Sequence, residues 1–264
     1  MTRFADPTYL LREQYRDDSN LSARIALHER FSTNAADWYR WLFDHLSIGQ
    51  GQVVVEVGCG NGTFWLRNAV RLPACELLLS DLSLGMVAGT RRRLLGRAAA
   101  PRFAVLDAQA LPLRPGSVDL VIANHMLYHV PDVERALREI RRVLRPDGRL
   151  VAATNGHAHL RELDGLLARL ALRSERHADA ERFGLETGPP QLAPFFSNVD
   201  LLRYEDSLAV TESQPLVDYV LSVAPAGAVT EAALRDLRSH IDRTIAHEGA
   251  FHLSKDVGVL VASA

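Results

Sequence analysis

The chain of 264 residues carries 30 basic and 32 acidic side chains, a formal net charge of -2, so no global field recruits nucleic acid or an acidic membrane. Its 47% apolar and 23% charged residues are those of an ordinary globular protein, long enough for one large or two small domains. Two cysteines, Cys59 and Cys75, form no CxxC pair and argue against both a disulfide framework and a cysteine metal site.

The first residues, "MTRFADPTYLLREQYRDD", are charged throughout and lack the apolar core of a signal peptide, and no apolar run reaches membrane-spanning length. A cytoplasmic, soluble protein is expected. Lys255 is the only lysine, a bias that GC-rich coding explains and to which no function attaches.

In chain order, residues 1–46 hold no good strand and read as helical, with Tyr9, Tyr15, Phe31, Trp38, Tyr39, Trp41 and Phe43 among them. From residue 52 apolar strands alternate with amphipathic helices. "QVVVEV" (52–57) reads as a buried strand, followed by glycines and a helix in "TFWLRNAVRL". "ELLLSD" (76–81) is a second strand, and the next helix places Leu84, Val87, Ala88, Leu94 and Leu95 on its apolar face. Strands follow at "RFAVLD" (102–107) and "VDLVIAN" (118–124). The clearest helical period is "DVERALREIRRVLR", stopped by Pro146, Asp147 and Gly148 before a fifth strand at 149–154. Beyond it come a helical "HLRELDGLLARLALRSE", a loop-rich "FGLETGPPQLAPFF", a strand at 201–210, helices near 214–223 and 230–247, and a last strand at 256–262. Continuous apolar strands alternating with helices predict an α/β fold with a parallel sheet covered on both faces.

In such a sheet ligands sit beyond the carboxyl ends of the strands. Gly58, Gly60 and Gly62 follow the first strand, where a ligand must approach the backbone, and Asp81 ends the second strand, where a carboxylate reaches ribose hydroxyls. Dinucleotide turns space their glycines as GxGxxG; here the run is "GCGNG", and Thr63 stands where the third glycine would. Glu56, inside the apolar run, is out of place beside a pyrophosphate and suits a positively charged ligand. A nicotinamide oxidoreductase is therefore set aside.

Five segments, "VVVEVGCGNG", "LLLSDLSLGM", "AVLDAQALPL", "VDLVIANHMLYHV" and "IRRVLRPDGRLV", resemble in order and spacing the signature segments of class I S-adenosylmethionine-dependent methyltransferases, over residues 50–155. The resemblance implies a seven-stranded Rossmann-like sheet whose last strand runs antiparallel, with N-terminal helices and helices inserted in the C-terminal half as a lid. Residues 1–46 would form a helical lid segment and 47–264 the methyltransferase domain, its cofactor core at 50–155 and its substrate-side helices and last two strands at 156–264. Gly58, Gly60 and Gly62 would cradle the methionine part of the cofactor, and Glu56 would hold its amino end. Asp81 would take the ribose with Leu82 beside the adenine, Asp107 would take the adenine amine with Ala108 adjacent, and Asn124 and His125 would lie near the sulfonium. Asp81 and Asp107 can also be read as helix-cap or turn residues.

The acceptor of the methyl group is expected to be a small molecule, secondary metabolites included, methylated on N, O or C. RNA or protein substrates, or a protein that binds the cofactor without methylating, are the alternatives. His129 is the candidate general base, though it also reads as a ring packed against the helix starting at Asp132. Asn155 or His157 would orient the substrate, with Tyr128 beside it, and Tyr15, His28 and Phe31 would belong to the lid, where an amphipathic helix pair packed on the sheet is an equal reading. No metal is expected, since the histidines at 125 and 129 cross a strand end rather than sharing a helix face. Oligomeric state is not written in these residues.

Overall fold

The computed structural model describes residues 6–10, 19–96, 101–225 and 227–263. A single turn, α1 (Pro7–Tyr9), precedes α2 (Ser19–Phe31) and α3 (Trp38–Leu46). Asp37 caps α3 by accepting from the Arg40 amide, and Ser47 ends it in the left-handed region. The alternating half follows: β1 (Val53–Val57), α4 (Thr63–Asn68), β2 (Glu76–Asp81), α5 (Leu84–Leu94), β3 (Arg102–Val105), β4 (Val118–Asn124), a 3-10 turn (Leu127–His129), α6 (Val133–Val143) and β5 (Leu144–Asn155). The remainder is α7 (Leu163–Arg169), α8 (Arg176–Phe183), α9 (Gly188–Leu192), β6 (Asn198–Tyr204), β7 (Ser207–Val210), α10 (Ser213–Val223), α11 (Glu231–Glu248), β8 (Phe251–Ser254) and β9 (Val257–Ser263).

Seven strands form one sheet in the order β3-β2-β1-β4-β5-β9-β6. The first five run parallel, and β9 lies antiparallel between β5 and β6, as the resemblance implies. Alternate residues of the central strands bury opposite faces: in β4, Val121 and Ala123 pack with Ala136, Leu137 and Ile140 of α6, while Leu120 and Ile122 pack with Leu42, Phe64 and Trp65. Burial on both sides explains why these strands read as unbroken apolar runs. The chain winds outward from β1 to β2 and β3, then crosses back to place β4 on the other side of β1, and this reversal opens a crevice at the carboxyl end of β1.

A third cluster lies apart from the sheet, joining Leu27 and Phe31 of α2 to Leu163 and Leu167 of α7, Leu216 and Val220 of α10, Leu237 and Ile241 of α11, and Leu208 and Leu253. It is built round a separate two-stranded sheet in which β7 pairs antiparallel with β8.

Three sequence expectations are corrected here. The strand read at 201–210 is two strands in two sheets, because Asp206 turns the chain outward: its carboxylate accepts from Ser32 Oγ at 2.7 Å and from the backbone amides of Asn34 at 3.0 Å and Ser207 at 2.8 Å. The apolar face of α5 is Met86, Val87 and Leu94, while Leu84 and Leu95 are 70% and 68% exposed at the helix ends. The helix α6 runs straight into β5 at Leu144, and Pro146–Gly148 occupy a register shift opposite Val118–Leu120 rather than a separate stop.

Candidate active site

The turn from β1 to α4 puts Gly58, Gly60 and Gly62 at φ +76°, +54° and +74°, angles that L side chains rarely adopt. Beyond φ, each glycine meets a different neighbour. A Cβ on Gly58 would lie 2.7 Å from Met126 Cβ, and one on Gly62 would lie 2.6 Å from Thr90 Cγ2. Gly58 and Gly60 line a cleft of about 750 Å³, whereas Gly62 packs against α5 and does not reach it. The turn is pinned to β2 and α5: Cys59 N donates to Ser80 O at 2.8 Å, Gly60 N to Asp81 Oδ2 at 3.0 Å, and Thr90 Oγ1 to Gly60 O at 2.7 Å.

Glu56 is 1% exposed, and its carboxyl lines the cleft while accepting from the Trp65 indole at 2.5 Å. Burial pushes it up to about 8, with the negative charge of Asp81 adding to the shift and the Trp65 bond opposing it. The same surroundings push the Cys59 thiol up, so it is no nucleophile.

Asp81 is raised by burial, against which backbone amides work. It accepts from Gly60 N and, at 2.8 Å, from Ser83 N, so it is a turn residue as well as a cleft residue. A carboxylate offers about four lone-pair sites, so these two bonds leave capacity for hydroxyl donors. Asp107 accepts from Gln109 N at 2.8 Å and holds the Gln109 amide, again a turn that borders the cleft together with Leu82 and Ala108.

At the end of β4, the Asn124 side-chain oxygen is buried with no hydrogen-bond partner, and so is that of Asn155 at the end of β5. Both line the cleft. Unpaired buried carbonyls are costly and rare. His125 follows in the left-handed region at φ +54°, its ring 5.7 Å from Trp38, and burial with the charge of Lys255 lowers it to about 4. Tyr128 and His129 lie on the 3-10 turn at the rim, with ring centroids 4.5 Å apart.

Opposite these strand ends stands a wall from α2, α7 and α10. His28 lines the cleft, stacks on His159 at 5.8 Å and meets the Tyr219 ring edge-on. Protein surrounds its ring although part of its surface opens to the cleft; burial, then the charges of Lys255 and His125, lower it to about 3. Lys255 and Asp206 form an ion pair whose side chains are 6% and 0% exposed. Burial lowers the ammonium; the Asp206 carboxyl is disfavoured by burial, but the bonds from Lys255 and Ser32 outweigh this and hold it low.

Two expected residues stand elsewhere, and a third is not among those described. His157 faces Glu181 and Glu186 outside the cleft, and His159, two residues on, lines it instead. Phe31 is buried in the cluster of α2, α7 and α10. Tyr15 lies outside the described residues. Sequence reasoning passed over Arg24, Asp206 and Lys255; the lone lysine was the signal available. Among the described residues no group of three or more His, Cys, Asp or Glu side chains is placed to hold a metal ion, and no helix is long and apolar enough to cross a membrane.

Residues 55–152 match the family described as "Methyltransferase domain". A malonyl-[acyl-carrier protein] O-methyltransferase of Geobacter sulfurreducens is 38% identical over 110 residues, 42% of this chain and 41% of the relative. A demethylmenaquinone methyltransferase of Thermus thermophilus is 33% identical over 135 residues, 50% of this chain and 61% of the relative. The matches thus span about half the length of these curated relatives. A candidate methyltransferase from an antibiotic biosynthesis pathway of Anabaena variabilis superposes with a TM-score of 0.64 at 16% identity, over 86% of this chain and 96% of that one. The [4+2]-cyclase SpnF superposes with 0.57 at 18% identity, over 100% and 97%. At these identities the structures speak for the fold, and the sequence match speaks for its cofactor-side half. Residues 55–152 thus resemble a methyltransferase domain, carried on a Rossmann-like fold that the whole chain shares with these structures.

Proposed function

We propose that the chain transfers a methyl group from S-adenosylmethionine to a small-molecule acceptor, leaving S-adenosylhomocysteine. The observation that carries this reading is the set of carboxylates, Glu56, Asp81 and Asp107, along the cleft beside a glycine turn. A pyrophosphate there would meet like charge; an ammonium and a sulfonium would meet opposite charge. Glu56, buried and pushed up to about 8, ionises readily only against a cation.

The residues fit such a cofactor. Gly58 and Gly60 line the cleft with backbone alone, Glu56 would hold the amino end directly or through water, and Asp81 would hold the ribose. Asp107, with Ala108 and Leu82 lining the same cleft, would take the adenine. The unpaired oxygen of Asn124, with His125, stands where the strand end would meet the sulfonium. Bound there, S-adenosylmethionine supplies an activated methyl group for in-line displacement. The chain itself aligns the acceptor and excludes water, which the wall of α2, α7 and α10 is placed to do. His129, at the rim, would take a proton from a neutral acceptor, and Tyr128 and Asn155 would contact that acceptor.

Relatives named for an acyl group on a carrier protein and for a quinone support a small acceptor, free or carrier-linked. Because a cyclase shares the fold, turnover is measured as well as binding. The test is calorimetric titration with S-adenosylhomocysteine, with NADH as the parallel control, followed by detection of S-adenosylhomocysteine formed from S-adenosylmethionine with acceptor panels. Binding of S-adenosylhomocysteine alone is expected; binding of NADH alone overturns the reading.

A further inference from the structure

The far wall of the cleft has a chemistry that the cofactor does not use. Ile25, Leu160, Leu163, Leu167 and Val223 line an apolar stretch of it. Next to that stretch His28 presents an imidazole whose Nδ1 is buried without a hydrogen-bond partner. His125 lines the same space, and its ring makes no hydrogen bond to any described residue.

The third group is Lys255. Its ammonium is almost wholly buried, is paired with Asp206 through one contact, and lies 5.2 Å from the Tyr204 ring centroid. An ammonium has three donors, and those not spent on Asp206 belong to a side chain that lines the cleft. The charges felt at His28 are those of Lys255, His125 and Arg24, opposed by Asp206, and the one felt at His125 is that of Lys255. Positive charge therefore prevails at both rings. The guanidinium of Arg24 is held by Ser222 of α10, at 3.1 Å from its hydroxyl and 3.0 Å from its carbonyl, so it is fixed beside His28 rather than swung into solvent.

We infer that the acceptor is an oxygen acid with an apolar body, bound as its anion, the charged oxygen held by Lys255 and the imidazole donors of His28 and His125 while the body lies along α2, α7 and α10. The inference rests on the methyltransferase reading and names its substrate class: a carboxylate or an acidic enol or phenol, not an amine. Both imidazoles are neutral at neutral pH, so each offers one N–H donor without adding a charge of its own. Methyl transfer then forms an O–C bond from an oxygen lone pair while the C–S pair returns to sulfur. The positive charge on sulfur and the negative charge on oxygen disappear together, and no proton has to be removed.

The experiment uses the full chain loaded with S-adenosylhomocysteine, titrated with three matched probes: 4-phenylbutyrate, 4-phenylbutanol and 4-phenylbutylamine. The carboxylate is expected to bind at least about tenfold more tightly than the other two, as charge-assisted bonds in a buried site predict. In Lys255→Met that preference is expected to vanish while affinity for S-adenosylhomocysteine stays within about threefold. Because Lys255→Met strands a buried carboxylate, the pair Lys255→Met with Asp206→Asn is measured alongside it, with the same expectation. Equal or tighter binding of the amine, no binding of phenylbutyrate up to about 10 mM, or a preference that survives in both variants overturns the inference. Those outcomes leave the methyltransferase reading standing, since that reading is tested separately by the S-adenosylhomocysteine titration.

Discussion

Trp65 donates its indole N–H to Glu56, and this is the one side-chain hydrogen bond that the buried carboxyl receives among the described residues. The two residues face each other across the glycine turn, one from β1 and one from α4, so the bond ties β1 to α4 behind the cleft.

Glu56 makes the stability of the ligand-free protein pH-dependent. Its ordinary value of 4.5 is raised to about 8 in the fold, so between these values the folded chain holds a proton that the unfolded chain has released. The contribution is complete below 4.5 and is lost as pH rises through about 8. Glu56→Gln keeps the Trp65 bond and has no proton to lose. Thermal scans at about pH 5 and pH 9 are expected to show the wild-type Tm falling several degrees further than that of the variant.

The same proton is linked to the ligand. An ammonium next to Glu56 favours the carboxylate, so wild-type affinity for S-adenosylhomocysteine is expected to rise from about pH 6 to about pH 8 and then level off. In Glu56→Gln the affinity is expected to be at least about tenfold weaker and flat over that range. Titrations in buffers of different ionisation enthalpy read the proton release directly.

Asp81→Asn keeps the volume and one acceptor oxygen but turns the other into a donor facing the Gly60 or Ser83 amide. A loss of about 1–3 kcal/mol in urea unfolding is expected, with at least a tenfold fall in affinity for S-adenosylhomocysteine. Unchanged affinity removes Asp81 from the site and leaves it the turn role alone.

Gly62→Ala meets both a forbidden φ and Thr90 Cγ2. The expected cost is about 2–4 kcal/mol. Adding Thr90→Ser deletes the methyl and keeps the hydroxyl that bonds Gly60 O, so it is expected to restore about half. No rescue in the double variant would place the whole cost in the backbone angle.

His129→Gln separates two roles. A general base removed from the rim lowers kcat by about a hundredfold with KM little changed. An acceptor that arrives ionised needs no base, and kcat is then expected to stay within about threefold. With the anion wall described above, the second result is the expected one.

The sheet was legible because β1, β2, β4 and β5 are buried on both faces, and double burial leaves its mark within a few residues. The hairpin of β7 and β8 was not, because its boundary is set by Asp206 bonding to Ser32 and Asn34, residues more than 170 positions away along the chain. Asp81 and Asp107 stood out in the sequence because one ends a strand and the other follows one, and Glu56 because it interrupts an apolar run. His157 and His159 could not be told apart, since an irregular turn has no period to say which ring faces the cleft. Lys255 stood out in composition as the only lysine, but its significance lies in the aspartate that buries with it, and that partnership is a tertiary fact.

The division of the cleft has an evolutionary consequence. The family match ends at residue 152, while the proposed acceptor wall is drawn from α2, from Asp206 just after β6, and from Lys255 just before β9. Identity to a named relative over the matched stretch therefore bears mainly on the glycine turn and the strand ends beside it. Of the proposed acceptor contacts only His125 falls within that stretch, while His28 and Lys255 lie outside it, so two chains can differ in what they modify while their glycine turns stay alike.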